Sequence, residues 1–408
     1  MIQALELLDP LARGVRTGAG FFWKSGWAFV LGYTVSGMIQ AFVPRARLVK
    51  LMGGANLRSV GLSTVFGAIS SSCSFAALAA ARSLIAKGAH FIAGVAFMFA
   101  STNLVIELGI LIWIFLGWEY VAAEIVGGVV LIAISSVLIR LTYPDDLLEK
   151  AREHVEATTP TEQEDFDWRA RITSASGWRR VGHNFVSEWK MVWREILIGF
   201  TIAGFVAELV PASVWGTIFL LDAPASVPGW LIVVENALVA PFVAAATFIG
   251  SMGNIPLATV LAANGVLFAG IMGFIYSDLI VPPLVAVNAK YYGWRTALYI
   301  AGIMYVSMVS TALILHVGFG ATGLTPETTR AVEEVTRFGI DYTFWLNVAS
   351  VFAVGVLVWA HRRFLAAEGM PDMMEMEGDG PVKRWAARAA MTVVVVGGVI
   401  LLGSIVVG

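Results

Sequence analysis

Two short runs of small polar residues interrupt sequence that is otherwise apolar over membrane length: Ser70-Ser71-Ser72-Cys73-Ser74 and Gly250-Ser251-Met252-Gly253-Asn254. Hydroxyl, amide and bare backbone groups can hold a small solute or ion. At bilayer depth they need protein or a water-filled cavity around them. A further polar cluster follows each run. Ser101, Thr102, Asn103 and Glu107 stand in the first half, with Glu107 about a turn beyond Asn103, and Ser277 and Asp278 stand in the second. A carboxylate inside an apolar span is costly, which suits Glu107 and Asp278 to carrying a proton or small cation. Ser71, Ser72, Cys73, Ser74, Asn103, Glu107, Ser251, Gly253, Asn254 and Asp278 are thus candidate lining residues of a transport pathway. Glu235 and Asn236, within 230–241, form a further candidate pair, for which snorkelling to the interface is the competing reading.

Cys73 is the only cysteine, so no intramolecular disulfide and no multi-cysteine metal site can form. A thiolate prefers soft ions, yet one thiol with Met252 as its nearest sulfur in the matching run makes a poor metal cage. No cofactor or resident metal is expected. The sequence has no Walker A loop, acylation motif or metalloprotease helix, which argues against ATP-driven transport by this chain alone. A membrane-embedded enzyme or thiol carrier acting through Cys73, and a passive channel, stand as alternatives to a coupled transporter. The enzyme ranks last because no second catalytic group adjoins Cys73.

The elements that position these residues must lie in lipid. Apolar residues make up 58% of the 408, charged residues 14%, and mean hydropathy is +0.78, against roughly a quarter charged in a soluble domain. The net charge of −2, with no arginine-rich stripe, excludes nucleic acid as a partner. Apolar windows fall at 22–43, 61–85, 89–116 and 121–141, then at 192–210, 230–249, 255–263, 266–287, 296–317, 343–359 and 391–407. The 255–263 stretch is too short to cross alone and reads as part of a broken or re-entrant helix. No cleavable leader is evident in the first 20 residues.

The sequence divides into a first membrane half, 1–142, a charged connector, 143–190, and a second half, 191–408, with extra spans at its end. Lys150, Arg152, Arg169, Arg171, Arg179, Arg180 and Lys190 place the connector on the cytoplasmic side. A shift of 177 residues sets Ser74 on Ser251, Ala81 on Ala258, Lys87-Gly88 on Asn264-Gly265 and Phe97 on Phe274. Each copy reads as a polar break, a helix, a glycine turn, a long span and a polar cluster. An odd number of crossings between the copies would set them in opposite senses. The expected fold class is all-α: a polytopic transmembrane bundle with two inverted structural repeats containing broken or re-entrant helices.

The run from Phe248 to Ala258, with Asn264-Gly265, Gly270 and Ser277-Asp278-Leu279-Ile280-Val281-Pro282, resembles the second signature of a bacterial permease family that includes organoarsenical efflux permeases. Ser71-Ser72-Cys73-Ser74, Lys87-Gly88 and Phe99-Ala100-Ser101-Thr102-Asn103 resemble the first. The likeness extends over about 22–317. It implies a multi-spanning permease of the bacterial inner membrane, driven by an ion gradient, with several members exporting trivalent organoarsenicals. Its site would fall here on Cys73, Ser74, Ser251, Gly253, Asn254, Pro256 and Asp278. Ser71 and Gly250 stand where arsenic-exporting relatives tend to carry further cysteines, so the resemblance supports a transporter more strongly than an arsenical substrate. The implied partners are a small-molecule or ion substrate and the lipid bilayer, with a homo-oligomer left open.

Overall fold

The computed structural model describes residues 2–42, 54, 56–70, 74–142, 168–326, 330–368 and 388. Ser71, Ser72 and Cys73, residues 143–167 of the connector, and the apolar stretch 391–407 lie outside the described residues. Among those described there is no strand, as expected where every backbone group must be satisfied within its own segment.

Helix α1 runs Ile2–Phe42 and α2 runs Leu57–Ser70. They are followed by α3 (Ser74–Ala86), α4 (Phe91–Asn103), α5 (Ile106–Phe115) and α6 (Trp118–Thr142). Then come α7 (Trp168–Thr173) and α8 (Ala175–Leu209), both of which begin within the charged stretch 143–190, and α9 (Ala212–Ile218). The second series is α10 (Gly229–Thr247), α11 (Ser251–Ala263), α12 (Phe268–Ile275) with a 3-10 turn (Tyr276–Ile280), α13 (Pro282–Tyr292) and α14 (Trp294–Thr322). A short α15 (Val332–Val335) and the long α16 (Tyr342–Glu368) complete the described chain. Among the described residues four helices, α6, α10, α14 and α16, are long and apolar enough to cross a membrane singly. The count rises to seven if the bent pairs α4–α5, α8–α9 and α12–α13 each make one span.

The helices of the two series begin and end in register. Ser251 follows Ser74 by 177 residues (251 − 74 = 177), and the same shift carries the ends of α3 and α4 onto the end of α11 and the end of the 3-10 turn. The glycine turns match atom for atom. Gly88 N–H donates to Ile85 O and Ala89 N–H to Leu84 O, both at 3.0 Å; Gly265 N–H donates to Ala262 O at 3.0 Å and Val266 N–H to Leu261 O at 3.1 Å. This is the Schellman pattern, which needs a left-handed residue after the helix, and Gly88 (φ 97°) and Gly265 (φ 85°) supply it without Cβ strain. The spans that follow bend alike, by 41° between α4 and α5 and by 40° between the turn and α13.

The two series interlock. α3 packs against α13, α11 packs against α5, and α6 packs against α14. α8 holds the second series to the first. Val181, Phe185, Glu188, Val192, Glu195, Gly199 and Ala203 recur at three- and four-residue spacing along its buried stripe. Glycines bring its backbone close to its neighbours: a Cβ on Gly18 of α1 would stand 2.8 Å from Phe200 O, and one on Gly199 would stand 2.5 Å from Gly253 Cα of α11. Small residues at such crossings replace the hydrophobic drive that lipid does not provide.

Candidate functional site

The site grows from the two short helices. α3 and α11 have 13 residues each, about 20 Å at 1.5 Å per residue, against a hydrocarbon core of about 30 Å. Neither helix can therefore reach water at both of its ends along its own axis, and their N-terminal ends carry the polar residues Ser74 and Ser251. α3 is alanine-rich and helix-forming by propensity. α11 contains Pro256, which has no N–H for the Met252 carbonyl. The chain enters α11 through Phe248, a non-glycine residue at φ 55°, and through Gly250, which caps the helix without a side chain. A left-handed phenylalanine is backbone strain placed at the break itself.

The structure joins the first polar break to the second acid. Ser74 Oγ donates a 2.9 Å hydrogen bond to Asp278 Oδ2. Ser74 is 1% exposed and Asp278 0%. Asp278 lies in the 3-10 turn, where the chain loosens ahead of Pro282-Pro283, and its carboxylate sits at the N-terminal end of α3, where first-turn N–H groups favour negative charge. Its other oxygen, Oδ1, is buried without a hydrogen-bond partner.

The other candidates within the described residues are also buried, apart from Glu235. Ser251 and Asn254 are buried on the first turns of α11, and neither amide atom of Asn254 has a partner. Gly253 forms the close crossing with Gly199. Asn103 ends α4, donating to Phe99 O at 3.2 Å and to Thr102 Oγ1 at 3.3 Å, while its Oδ1 is unpartnered. Glu107 is buried on the first turn of α5, directly after the bend, and its Cβ packs against Gly32 of α1. Pro256 is buried within α11.

Asn236 is tied into the scaffold. Its Nδ2 donates to Phe219 O at 2.8 Å, Ile232 O at 2.9 Å and Glu235 Oε2 at 3.0 Å, and its Oδ1 accepts from Leu267 N–H at 3.1 Å. It thus fastens the end of α9 and the start of α12 to α10. Glu235 is half-buried beside it.

Three further buried residues lie outside the candidates read from the sequence. Glu195 of α8 is 8% exposed and its carboxylate lies against Gly250. The detectable signal is its place seven residues after Glu188 on one apolar stripe. Glu124 of α6 is buried within electrostatic range of Asp278. Tyr276, fully buried, donates from its hydroxyl to Ala123 O at 3.1 Å and packs against Gly127. Among the described residues no three His, Cys, Asp or Glu side chains converge to hold a metal ion.

One end of the bundle carries a separate polar hollow of about 570 Å³, lined by Lys24, Arg330, Glu334, Arg337 and Asp341 among others. Lys24 Nζ donates to Asp341 Oδ2 at 2.7 Å, and Arg330 donates to Ile114 O at the end of α5 at 2.5 Å. Lys24 holds the Asp341 carboxyl below its ordinary range, chiefly through this hydrogen bond.

Residues 14–317 match the family described as a predicted permease, ArsP_1. The Mycobacterium tuberculosis protein named "Putative permease Rv2963" is 38% identical over 351 residues, covering 83% of this chain and 84% of that one. No solved structure matches the chain. Apolar helices in two interlocked series, buried polar breaks and this extended similarity agree: the chain is a multi-pass membrane protein and belongs to the ArsP_1 predicted permease family.

Proposed function

We propose that this protein is a secondary-active permease of the bacterial inner membrane that moves a small solute in exchange for a proton or cation. The observation that carries this reading is the buried hydrogen bond from Ser74 to Asp278, which couples the start of one broken helix to the bend of another. In this reading the halves 1–142 and 191–408 are inverted copies joined by a cytoplasmic connector, 143–190. Rocking of one half against the other opens the buried layer to alternate sides.

Ser71, Ser72, Cys73, Ser74, Asn103, Ser251, Gly253, Asn254 and Pro256 line the solute path, with Glu235 and Asn236 beside it. Glu107 and Asp278 carry the coupling charge. The substrate class is a trivalent organoarsenical or a related small compound, and the direction is efflux. That reading draws on the family resemblance and on the single thiol of Cys73. Hydroxyl, amide and backbone groups outnumber thiols here, so the contacts are chiefly hydrogen bonds rather than arsenic–sulfur bonds.

The test is accumulation of a trivalent organoarsenical in everted vesicles bearing the protein, with and without an imposed pH gradient. Gradient-dependent accumulation that is lost in Asp278→Asn supports the reading. Accumulation that persists unchanged in Asp278→Asn and Glu107→Gln removes these acids from coupling. A flux that only equilibrates the solute makes the protein a channel.

A further inference from the structure

Glu195 stands to α11 as Asp278 stands to α3. A methyl group built on Gly250 would lie 2.7 Å from Glu195 Oε2, so the carboxylate occupies the space that a side chain at the α11 N-cap would take. The Gly250 carbonyl accepts from the N–H groups of Gly253 and Asn254, at 3.1 and 3.2 Å, and Gly250 offers no side-chain cap. Each 13-residue broken helix thus meets a carboxylate at its positive end.

The two carboxylates feel one another's charge, and Glu124 from α6 is a third within range of Asp278. Two buried groups point to a ligand between them. Among the described residues, Asp278 Oδ1 has no hydrogen-bond partner, and neither does either amide atom of Asn254, both residues being 0% exposed. Asn254 lies four residues after Gly250 and so on the face of α11 that meets Glu195. Carboxylates close together in apolar surroundings are stabilised by a shared positive charge.

We infer that Glu195, Asp278 and Asn254 form a binding site for one monovalent cation, a proton or a sodium ion, between the tips of α3 and α11. This deepens the permease reading and rests on it for its role in coupling. It assigns Glu195, on an otherwise structural helix, to the charge-carrying layer.

The experiment uses the full-length protein purified in detergent, with sodium chloride against choline chloride in one arm and a proton titration in choline chloride in the other. In the sodium arm the wild type is expected to show a saturable rise in unfolding temperature. Glu195→Gln and Asp278→Asn lose that rise, and Glu208→Gln keeps it, since Glu208 is held apart by Arg13 and Thr17. If the cation is a proton, sodium has no effect, and each of the two variants takes up about one proton fewer between pH 5 and 9 than the wild type.

Gly250→Ala retains both acids and has a backbone that accepts a side chain (φ −81°). It should raise the half-saturating sodium concentration, or shift the proton midpoint, several-fold by displacing Glu195, and it decides the matter if the charge variants fail to fold. Variants that match the wild type in both arms overturn the site. Solute movement with unchanged cation binding sinks the site alone; cation binding without solute movement under any gradient sinks the permease reading and leaves the site.

Discussion

Ser74 Oγ donates to Asp278 Oδ2 across 2.9 Å, although the two residues are 204 apart in the chain. The bond ties the first turn of α3 to the bend ahead of α13, and α3 also packs on α13. Any movement that opens the bend must break or carry this contact.

In the proposed permease the contact is carried with the movement, so Ser74→Ala should slow solute transport, and its effect should depend on Asp278. A hydrogen bond to a charged group contributes about 1.5–3 kcal/mol, so a loss of ten-fold or more in initial rate is expected. In the Asp278→Asn background the serine change should cost little. Initial rates of the two single variants and the double variant in proteoliposomes measure this coupling; simple additivity would mean that the bond has no part in transport.

The crossing of α8 and α11 leaves no room for a side chain. Gly199→Val should lower stability by about 1–3 kcal/mol through overpacking, since even a Cβ would meet Gly253 Cα at 2.5 Å. Gly61→Val, on a helix face with nothing within 4 Å, should be close to neutral. Unfolding temperatures in detergent compare the two directly.

Tyr276 and Gly127 make a paired prediction. Gly127→Ala should destabilise because its methyl group would collide first with the Tyr276 hydroxyl, which is fixed by its bond to Ala123 O, and also with the flexible end of Leu315. Tyr276→Phe alone should cost about 1 kcal/mol, the worth of its bond to Ala123 O. Combined, the phenylalanine should relieve much of the alanine's penalty. A double variant as unstable as the sum of its parts would show that the hydroxyl is not the obstacle.

The Lys24–Asp341 contact predicts a mild acid sensitivity. Lys24 depresses the folded-state pKa of Asp341. The stabilisation is thus present above the ordinary carboxylate value of about 3.9 and is lost as pH falls through the depressed folded value. The Asp341 side chain is 39% exposed, so solvent and salt screen the pair and the effect is small. Unfolding temperatures from pH 7 to 3 should show Lys24→Met differing from the wild type near neutrality and converging with it at the acid end.

The sequence is most legible where backbone chemistry decides the outcome. Gly88 and Gly265 mark turns because only glycine enters φ near 90° freely. The polar clusters at 101–103 and 277–278 precede bends of 41° and 40°. Hydropathy reads membrane depth rather than helix length, so α1 begins at Ile2, twenty residues before its apolar window at Phe22. Glu195 is hidden for a related reason: an acid near the start of an apolar stretch looks interfacial, and only the packing of α8 on Gly250 turns it inward. Asn236 holds a fastening that no spacing announces, its amide bonding to the backbone of Phe219, Ile232 and Leu267 and to Glu235.

The shortness of α3 and α11 carries an electrical consequence. A helix that covers about two-thirds of the hydrocarbon thickness leaves at least one of its tips inside the voltage drop. Moving one elementary charge through the full potential is worth about 2.3 kcal/mol per 100 mV. A charge that stops at such a tip is worked on by only part of that field on each leg of its journey. In the proposed permease, the resting potential of the cell thereby becomes a second control, beside any concentration gradient, on how often the proposed cation site between the two tips is filled.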